Sequence, residues 1–369
     1  MRKSAVVAGV ASFALAGVLL PEGQSRAQSQ APAIQGGTQI PGVGPDRFLP
    51  PIPLANIEDM ALLPGGRWLI GSGMKAGAIR SSIYAIDTKT RRFHKIYPAR
   101  AVSPKAARPS TGNIRRSGCA AEPNPNDFAG HGLSFRQMSA GAGELYVVNH
   151  GGRESIEVFE VEVPASPSRP PTLKWRSCIL APPERTGNAV TWGPGGALYA
   201  TYSAGSLSGE VQRWTRDEGW RRVPAGDAPG ATGLASTRRG DKLYVSNVRD
   251  AKVVEITLGE KPARREVSLP FRPDNLSWTA EGDLLVAGLE RLPLEVMNAC
   301  RGSYAADCAF KGYVAQVDPR ALAATCVREL GPTVTTVATA VGEELWIGSS
   351  RSLRILRLPK GVLAQCISR

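Results

Sequence analysis

The chain runs to 369 residues, 42% hydrophobic and 21% charged. That is too apolar for a disordered protein and long enough for one large domain or two ordinary ones. Its 40 glycines and 29 prolines, beside only 6% aromatics, exclude a helix bundle and favour many short strands joined by tight turns. The net charge of +13 is scattered, without a recognition helix or RNA-binding motif, so no nucleic-acid partner is expected and the basic surface is read as solvated or facing an anionic cell envelope.

Arg2 and Lys3 precede an uncharged Ala/Val/Leu-rich run from Ala5 to Leu20, and Ser25-Arg26-Ala27 offers a small-x-small cleavage signal. The run is shorter than the roughly 20 residues a membrane span needs. Residues 1–27 are therefore expected to be a cleaved signal peptide, giving a periplasmic or secreted protein with no stable membrane insertion. Arg2, Lys3, Arg26 and Glu22 leave with it, which lowers the net charge from +13 to +11. Residues 28–50, rich in Pro, Gly and Gln, read as a linker or extended arm ahead of a domain spanning 51–369.

An oxidising compartment makes disulfides the expected state of the six cysteines. Cys300 and Cys308 enclose a short loop and form the first expected pair. Cys119 with Cys178, and Cys326 with Cys366, follow, although six cysteines allow 15 pairings. There is no CxxC spacing and no histidine near a cysteine, so zinc is not expected.

From about residue 50 one unit recurs: a turn, a short apolar strand, and a second β-rich segment. The strand cores are Trp68-Leu69-Ile70, Leu145-Tyr146-Val147, Leu198-Tyr199-Ala200, Leu243-Tyr244-Val245, Leu284-Leu285-Val286 and Leu345-Trp346-Ile347. Their starts are spaced by 77, 53, 45, 41 and 61 residues, near the spacing of a four-stranded blade. A two-sheet sandwich does not call for six such copies. The expected fold is all-β, a six-bladed β-propeller with four-stranded antiparallel blades. Its inner strands would bring residues far apart in sequence to one central channel.

Just before the apolar triplets, oxygen-bearing and imidazole side chains sit inside apolar runs. They fall in Asn56-Ile57-Glu58-Asp59-Met60, Gly130-His131-Gly132-Leu133-Ser134, Gly187-Asn188-Ala189-Val190 and Arg272-Pro273-Asp274-Asn275-Leu276, with Val148-Asn149-His150 after the second triplet. A buried polar side chain costs about 1–3 kcal/mol unless something binds it. One such residue is most simply a turn cap; recurrence at one place in the repeat asks for a shared partner. Ca2+, a hard cation taking six to eight oxygens, suits two carboxylates (Glu58, Asp274) with two amides (Asn188, Asn275).

The pattern resembles the calcium-dependent lactonases and arylesterases of the paraoxonase type, within the wider gluconolactonase-like six-bladed propellers. The resemblance rests on GHGLSF…LYVVNHGGRESIEVFEV (Gly130 to Val161), IEDMALLPGGRWLIGSG (Ile57 to Gly73), GNAVTWGPGGALYAT (Gly187 to Thr201) and RPDNLSW (Arg272 to Trp278). It implies that Glu58, Asn188, Asp274 and Asn275 hold a catalytic calcium and that His131 is the general base on water, paired with His150. It also implies a second, structural calcium at Asp59 and the Leu133 carbonyl. Two residues depart from the pattern. Thr232 stands where the fourth blade usually carries an Asn, a shorter and weaker metal ligand. Ala189 stands where paraoxonases carry an Asp for the second ion.

The leading expectation is a monomeric hydrolase of a small-molecule lactone or ester. The first rival is a non-catalytic, metal-stabilised propeller that binds a ligand or an envelope partner. The second is a strictosidine-synthase-like condensing enzyme on the same scaffold. His94, among cations on an outer hairpin, is expected to be exposed and inert. Trp192 and Trp278 are read first as blade-core packing. No GxSxG elbow, P-loop or dinucleotide fingerprint occurs.

Overall fold

The computed structural model describes residues 42–44, 47–75, 79–98, 119–166, 168–205, 208–300 and 310–364. Their strands form six four-stranded antiparallel sheets, the blades of a six-bladed β-propeller. The first strand, β1 (Leu49–Ile52), belongs to the last blade. Blade 1 is β2 (Ile57–Leu62), β3 (Trp68–Gly73), β4 (Ser82–Asp87) and β5 (Phe93–Tyr97). Blade 2 is β6 (Gly130–Ser139), β7 (Ala142–Asn149), β8 (Ser155–Glu162) and β9 (Thr172–Leu180). Blade 3 is β10 (Thr186–Trp192), β11 (Leu198–Ser203), β12 (Glu210–Thr215) and β13 (Gly219–Asp227). Blade 4 is β14 (Ala231–Ser236), β15 (Lys242–Asn247), β16 (Lys252–Thr257) and β17 (Ala263–Ser268). Blade 5 is β18 (Arg272–Trp278), β19 (Leu284–Leu289), β20 (Lys311–Asp318) and β21 (Ala323–Pro332). Blade 6 is β22 (Val337–Val341), β23 (Glu344–Gly348), β24 (Ile355–Pro359) and, outermost, β1.

Each apolar triplet read from the sequence is the second strand of its blade. The segment ahead of it is the inner strand, and neighbouring inner strands touch all the way round, β22 against β2 included. The turn from inner to second strand carries a glycine with positive φ in every blade, Gly66 (+68°) and Gly342 (+57°) among them. That backbone suits glycine, which lacks the Cβ that strains the left-handed region.

Blades present both faces to neighbours, so their strands are apolar on both sides. Six buried clusters fill the six blade-to-blade interfaces. Between blades 1 and 2, for example, Ile70 and Ile83 pack with Phe159 and Trp175. β1 closes the ring by pairing Leu49 with Arg357 and Ile52 with Ile355, and the Arg357 guanidinium donates to Pro50 O at 2.8 Å.

A disulfide joins Cys119, ahead of β6, to Cys178 in β9, with Cα atoms 5.8 Å apart. Cys300 and Cys326 each take part in a disulfide as well, not with one another. Cys308 and Cys366 lie outside the described residues, as do the expected signal peptide (1–27) and most of the expected linker. Among the described residues no helix is long and apolar enough to cross a membrane.

Candidate active site

The inner strands of blades 1 to 5 each break register with the second strand at one level. The slips lie between Ile57 and Asp59, Gly130 and Leu133, Gly187 and Val190, Ala231 and Leu234, and Pro273 and Leu276. A slip of this kind adds a residue to one strand and re-aims its side chains. The polar residues inside the slips are Glu58, His131, Asn188, Thr232 and Asp274-Asn275. β22 of blade 6 pairs without a slip and none of the expected ligands lies on it.

Two of these slips contain a glycine at a close approach. A Cβ on Gly132 would lie 2.3 Å from Asn188 O, and one on Gly233 would lie 2.2 Å from Asp274 O. Blades 2 and 4 therefore reach the backbone of their neighbours only because these positions have no side chain.

The expected residues meet across the axis. Asn275 Nδ2 of blade 5 donates to Glu58 Oε1 of blade 1 at 2.6 Å and to Glu58 O at 3.1 Å. His131 Nε2 of blade 2 lies 3.5 Å from the same Glu58 Oε1. Thr336 Oγ1, from blade 6, donates to Glu58 O at 2.8 Å. Thr232 Oγ1 donates to Pro273 O at 3.4 Å and its hydroxyl also holds the Asp274 carboxyl down.

Among the described residues, three buried oxygens in this layer have no hydrogen-bond partner: Glu58 Oε2, Asn188 Oδ1 and Asn275 Oδ1. Orphaned buried acceptors are uncommon and costly. Buried carboxylates elsewhere have cationic partners: Glu157 grips Arg153 and Glu255 grips Arg265, each through two hydrogen bonds of 2.8–2.9 Å. Among the described residues neither Glu58 nor Asp274 forms an ion pair with a lysine or arginine. Burial and the Glu58 charge push the Asp274 carboxyl up to about 8, against weaker lowering by His131 and Thr232. Two crowded carboxyl groups, one kept from ionising by burial and by the other, and unused oxygens together describe a donor set suited to a hard cation. Among the described residues no three His, Cys, Asp or Glu side chains converge as a metal site; the axial set mixes carboxylates with carboxamides.

Asp59 is held by backbone amides. Its two oxygens accept the Met60 and Leu133 amides, each at 2.8 Å, so it stitches blade 1 to blade 2. Burial, then the Glu58 charge, raises its carboxyl well above the usual range despite those two amides and His131. Leu133 faces it with its N–H.

The two histidines form a chain that leads out of the axis. His131 Nδ1 is 2.8 Å from His150 Nε2, and His150 Nδ1 is 2.8 Å from Glu154 Oε1. Burial alone would lower the basicity of His131. The Glu58 charge and hydrogen bond, then the Asp274 and Asp59 charges, outweigh it and raise His131 above its ordinary value. Glu154 was not legible as a site residue. A carboxylate after a Gly-Gly turn ordinarily points to water, and only its fourth place after His150 hints otherwise.

A cavity of about 1180 Å³ lies beyond the axial layer, lined by the later halves of the inner strands. Asp59 and Asn275 reach it, while the histidine pair does not. Trp192 and Trp278 line it, and their indole N–H groups donate to Phe135 O (3.1 Å) and Ser236 O (2.9 Å) of the preceding blades. They thus clamp blades and wall the channel at once. His94 is exposed on β5, edge-on to Trp68 with ring centroids 6.0 Å apart.

No protein-family model and no curated protein sequence matches this chain. Solved structures do. A luciferin-regenerating enzyme aligns over 84% of this chain and 92% of its own, with a TM-score of 0.53 and 13% identity. The calcium-binding protein regucalcin of Agrobacterium tumefaciens aligns over 84% and 93%, at 0.51 and 12% identity. A provisionally named gluconolactonase aligns over 83% and 89%, at 0.50 and 15% identity. The six-bladed propeller is the fold all of them share. At these identities the likeness is one of fold, and the chemistry rests on the axial residues themselves.

Proposed function

We propose that the chain is an exported, calcium-dependent hydrolase of a small lactone or carboxylic ester. The observation that carries this reading is the axial layer: among the described residues, three buried oxygens without a hydrogen-bond partner and two carboxyl groups without a paired lysine or arginine, with a histidine nitrogen 3.5 Å from Glu58. Glu58, Asn188, Asp274 and Asn275 would hold the ion, with Thr232 a weak fifth ligand. A bound calcium ion would supply an electrophile for the carbonyl oxygen and for the charge that develops on it. His131 Nε2 accepts a proton from water as the water oxygen attacks the carbonyl carbon. The acyl C–O bond then breaks, and the leaving alkoxide takes a proton back from the imidazolium. The products are an acid and an alcohol, joined in one molecule when the substrate is a lactone.

One observation favours a second reading, a non-catalytic propeller that keeps an ion for stability. The Thr232 hydroxyl is engaged with Pro273 O, so the fourth blade offers the ion less than an amide would. The deciding experiment is calcium titration of the purified protein and of Asp274→Ala, followed by a lactone and aryl-ester panel with and without chelator. Binding of about one ion, lost in the variant, with chelator-sensitive turnover, supports the hydrolase. Binding without turnover supports the second reading. No binding at millimolar calcium refutes both.

A further inference from the structure

Glu154 lies at the outer end of the His131–His150 chain, where Oε1 is 2.8 Å from His150 Nδ1 and Oε2 accepts the Gly187 amide at 3.4 Å. It thereby ties the second histidine to the strand that carries Asn188. The carboxylate can only accept, so the His150 proton must sit on Nδ1. A neutral imidazole carries one N–H, so His150 Nε2 is left as an acceptor. The 2.8 Å contact with His131 Nδ1 is then a hydrogen bond donated by His131. That places the His131 proton on Nδ1 and leaves the Nε2 lone pair facing the axis, beside Glu58.

We propose that Glu154 is a positioning residue that sets the tautomer of both histidines and so makes His131 Nε2 the basic atom of the site. The inference deepens the hydrolase reading and rests on it for its catalytic meaning. It adds a path for the proton: once His131 Nε2 has taken a proton from water, its Nδ1 proton can shift to His150 Nε2. The resulting imidazolium is held by Glu154, whose side chain is 33% exposed. The water O–H bond breaks as His131 Nε2–H forms, His131 Nδ1–H breaks as His150 Nε2–H forms, and no co-reactant is needed. Without an acceptor at His150 Nδ1, the proton is free to sit on His150 Nε2. It then donates to His131 Nδ1, pushes the His131 proton onto Nε2, and blocks the base.

The test is nitrogen NMR of the full-length protein labelled at its three histidines, with Glu154→Leu and Glu154→Gln beside it. Glutamine keeps an accepting oxygen; leucine keeps bulk without one. In the wild-type protein, at a pH high enough for the raised His131 to be neutral, His131 and His150 should both carry the proton on Nδ1. Leucine should move both to Nε2, and glutamine should restore the wild-type pattern. With phenyl acetate or a δ-lactone as probe, leucine should lower kcat on the order of 100-fold with KM little changed, and glutamine should recover most of it. An Nε2 proton on His150 in the wild-type protein overturns the inference, as does an unchanged tautomer in the leucine variant. Correct tautomers in a protein that turns over neither probe leave the inference standing and count against the hydrolase reading instead.

Discussion

Gly233→Ala tests whether close backbone packing, rather than ligand identity alone, assembles the axial layer. The added methyl would lie 2.2 Å from Asp274 O and 2.7 Å from Asn275 Cα. Ordinary contact begins at 3.4 Å, so β18 must retreat by about 1.2 Å (3.4 less 2.2) or β14 must. Both neighbours are backbone, which cannot swing aside as a flexible side chain can. Overpacking of this kind costs about 1–3 kcal/mol. For a domain of this size that is a fall of roughly 3 °C in Tm. The larger effect falls on the ion, because the displaced peptide carries two proposed ligands. A loss of roughly 10- to 100-fold in calcium affinity is expected, of the size seen when groups that orient a metal ligand are disturbed. Titration calorimetry with calcium, and thermal melts with and without it, read both effects. Gly361→Ala is the control, since none of the described residues lies within 4 Å of a methyl there. If Gly233→Ala binds calcium and melts like the wild type, blade spacing does not set the ligand geometry and the reasoning fails.

Other perturbations read different parts of the structure. Glu58→Gln keeps shape and removes one charge; calcium affinity should fall about 100-fold while the melt in chelator stays level or rises, since repulsion from Asp274 is relieved. In chelator, the raised Asp274 carboxyl (about 8) should make the protein lose stability as pH climbs from the unfolded value of about 3.9 to about 8. Asp274→Asn should flatten that slope in denaturant titrations, and a slope identical in both proteins would contradict the assignment. Cys119→Ser opens a loop whose ends are 59 residues apart; the chain-entropy relation gives about 4 kcal/mol, or a Tm lower by roughly 6 °C. A Tm unchanged within 1 or 2 °C, read against the about 6 °C that relation predicts, would show that the bond constrains little.

Much of this molecule was legible in its sequence, for reasons that particular residues make plain. The apolar triplets from Trp68-Leu69-Ile70 to Leu345-Trp346-Ile347 recur because each is a second strand buried between two blades. Glu58, Asn188 and Asp274-Asn275 stood out because polar residues at matching starts of apolar strands share a cause. The exposure of His94 followed from its cationic neighbours. The register slips were not legible, since no residue type marks them, and they are what turn these side chains inward. The family resemblance implies a second ion at Asp59; that its carboxylate accepts the Leu133 amide depends on how blades 1 and 2 dock, which sequence does not display. Glu154 was missed because its partner lies in a tertiary contact, and sequence spacing alone gives its carboxylate no addressee.

The strand that completes blade 6 comes from the opposite end of the chain, and the Pro50–Arg357 bond spans 307 positions. Five blades can be assembled as the polypeptide is made, each from neighbours in sequence, but the sixth has to wait for almost the last residue. Contacts of such long range are slow to form. Until they do, blade 1 and blade 6 have no partner on one side, and Glu58 stands apart from Asn275. Closing the ring is thus the same event as finishing the axial layer. A shortened product of interrupted synthesis would therefore lack the proposed site, whose Glu58–Asn275 contact joins blades 1 and 5, even where its other blades had formed.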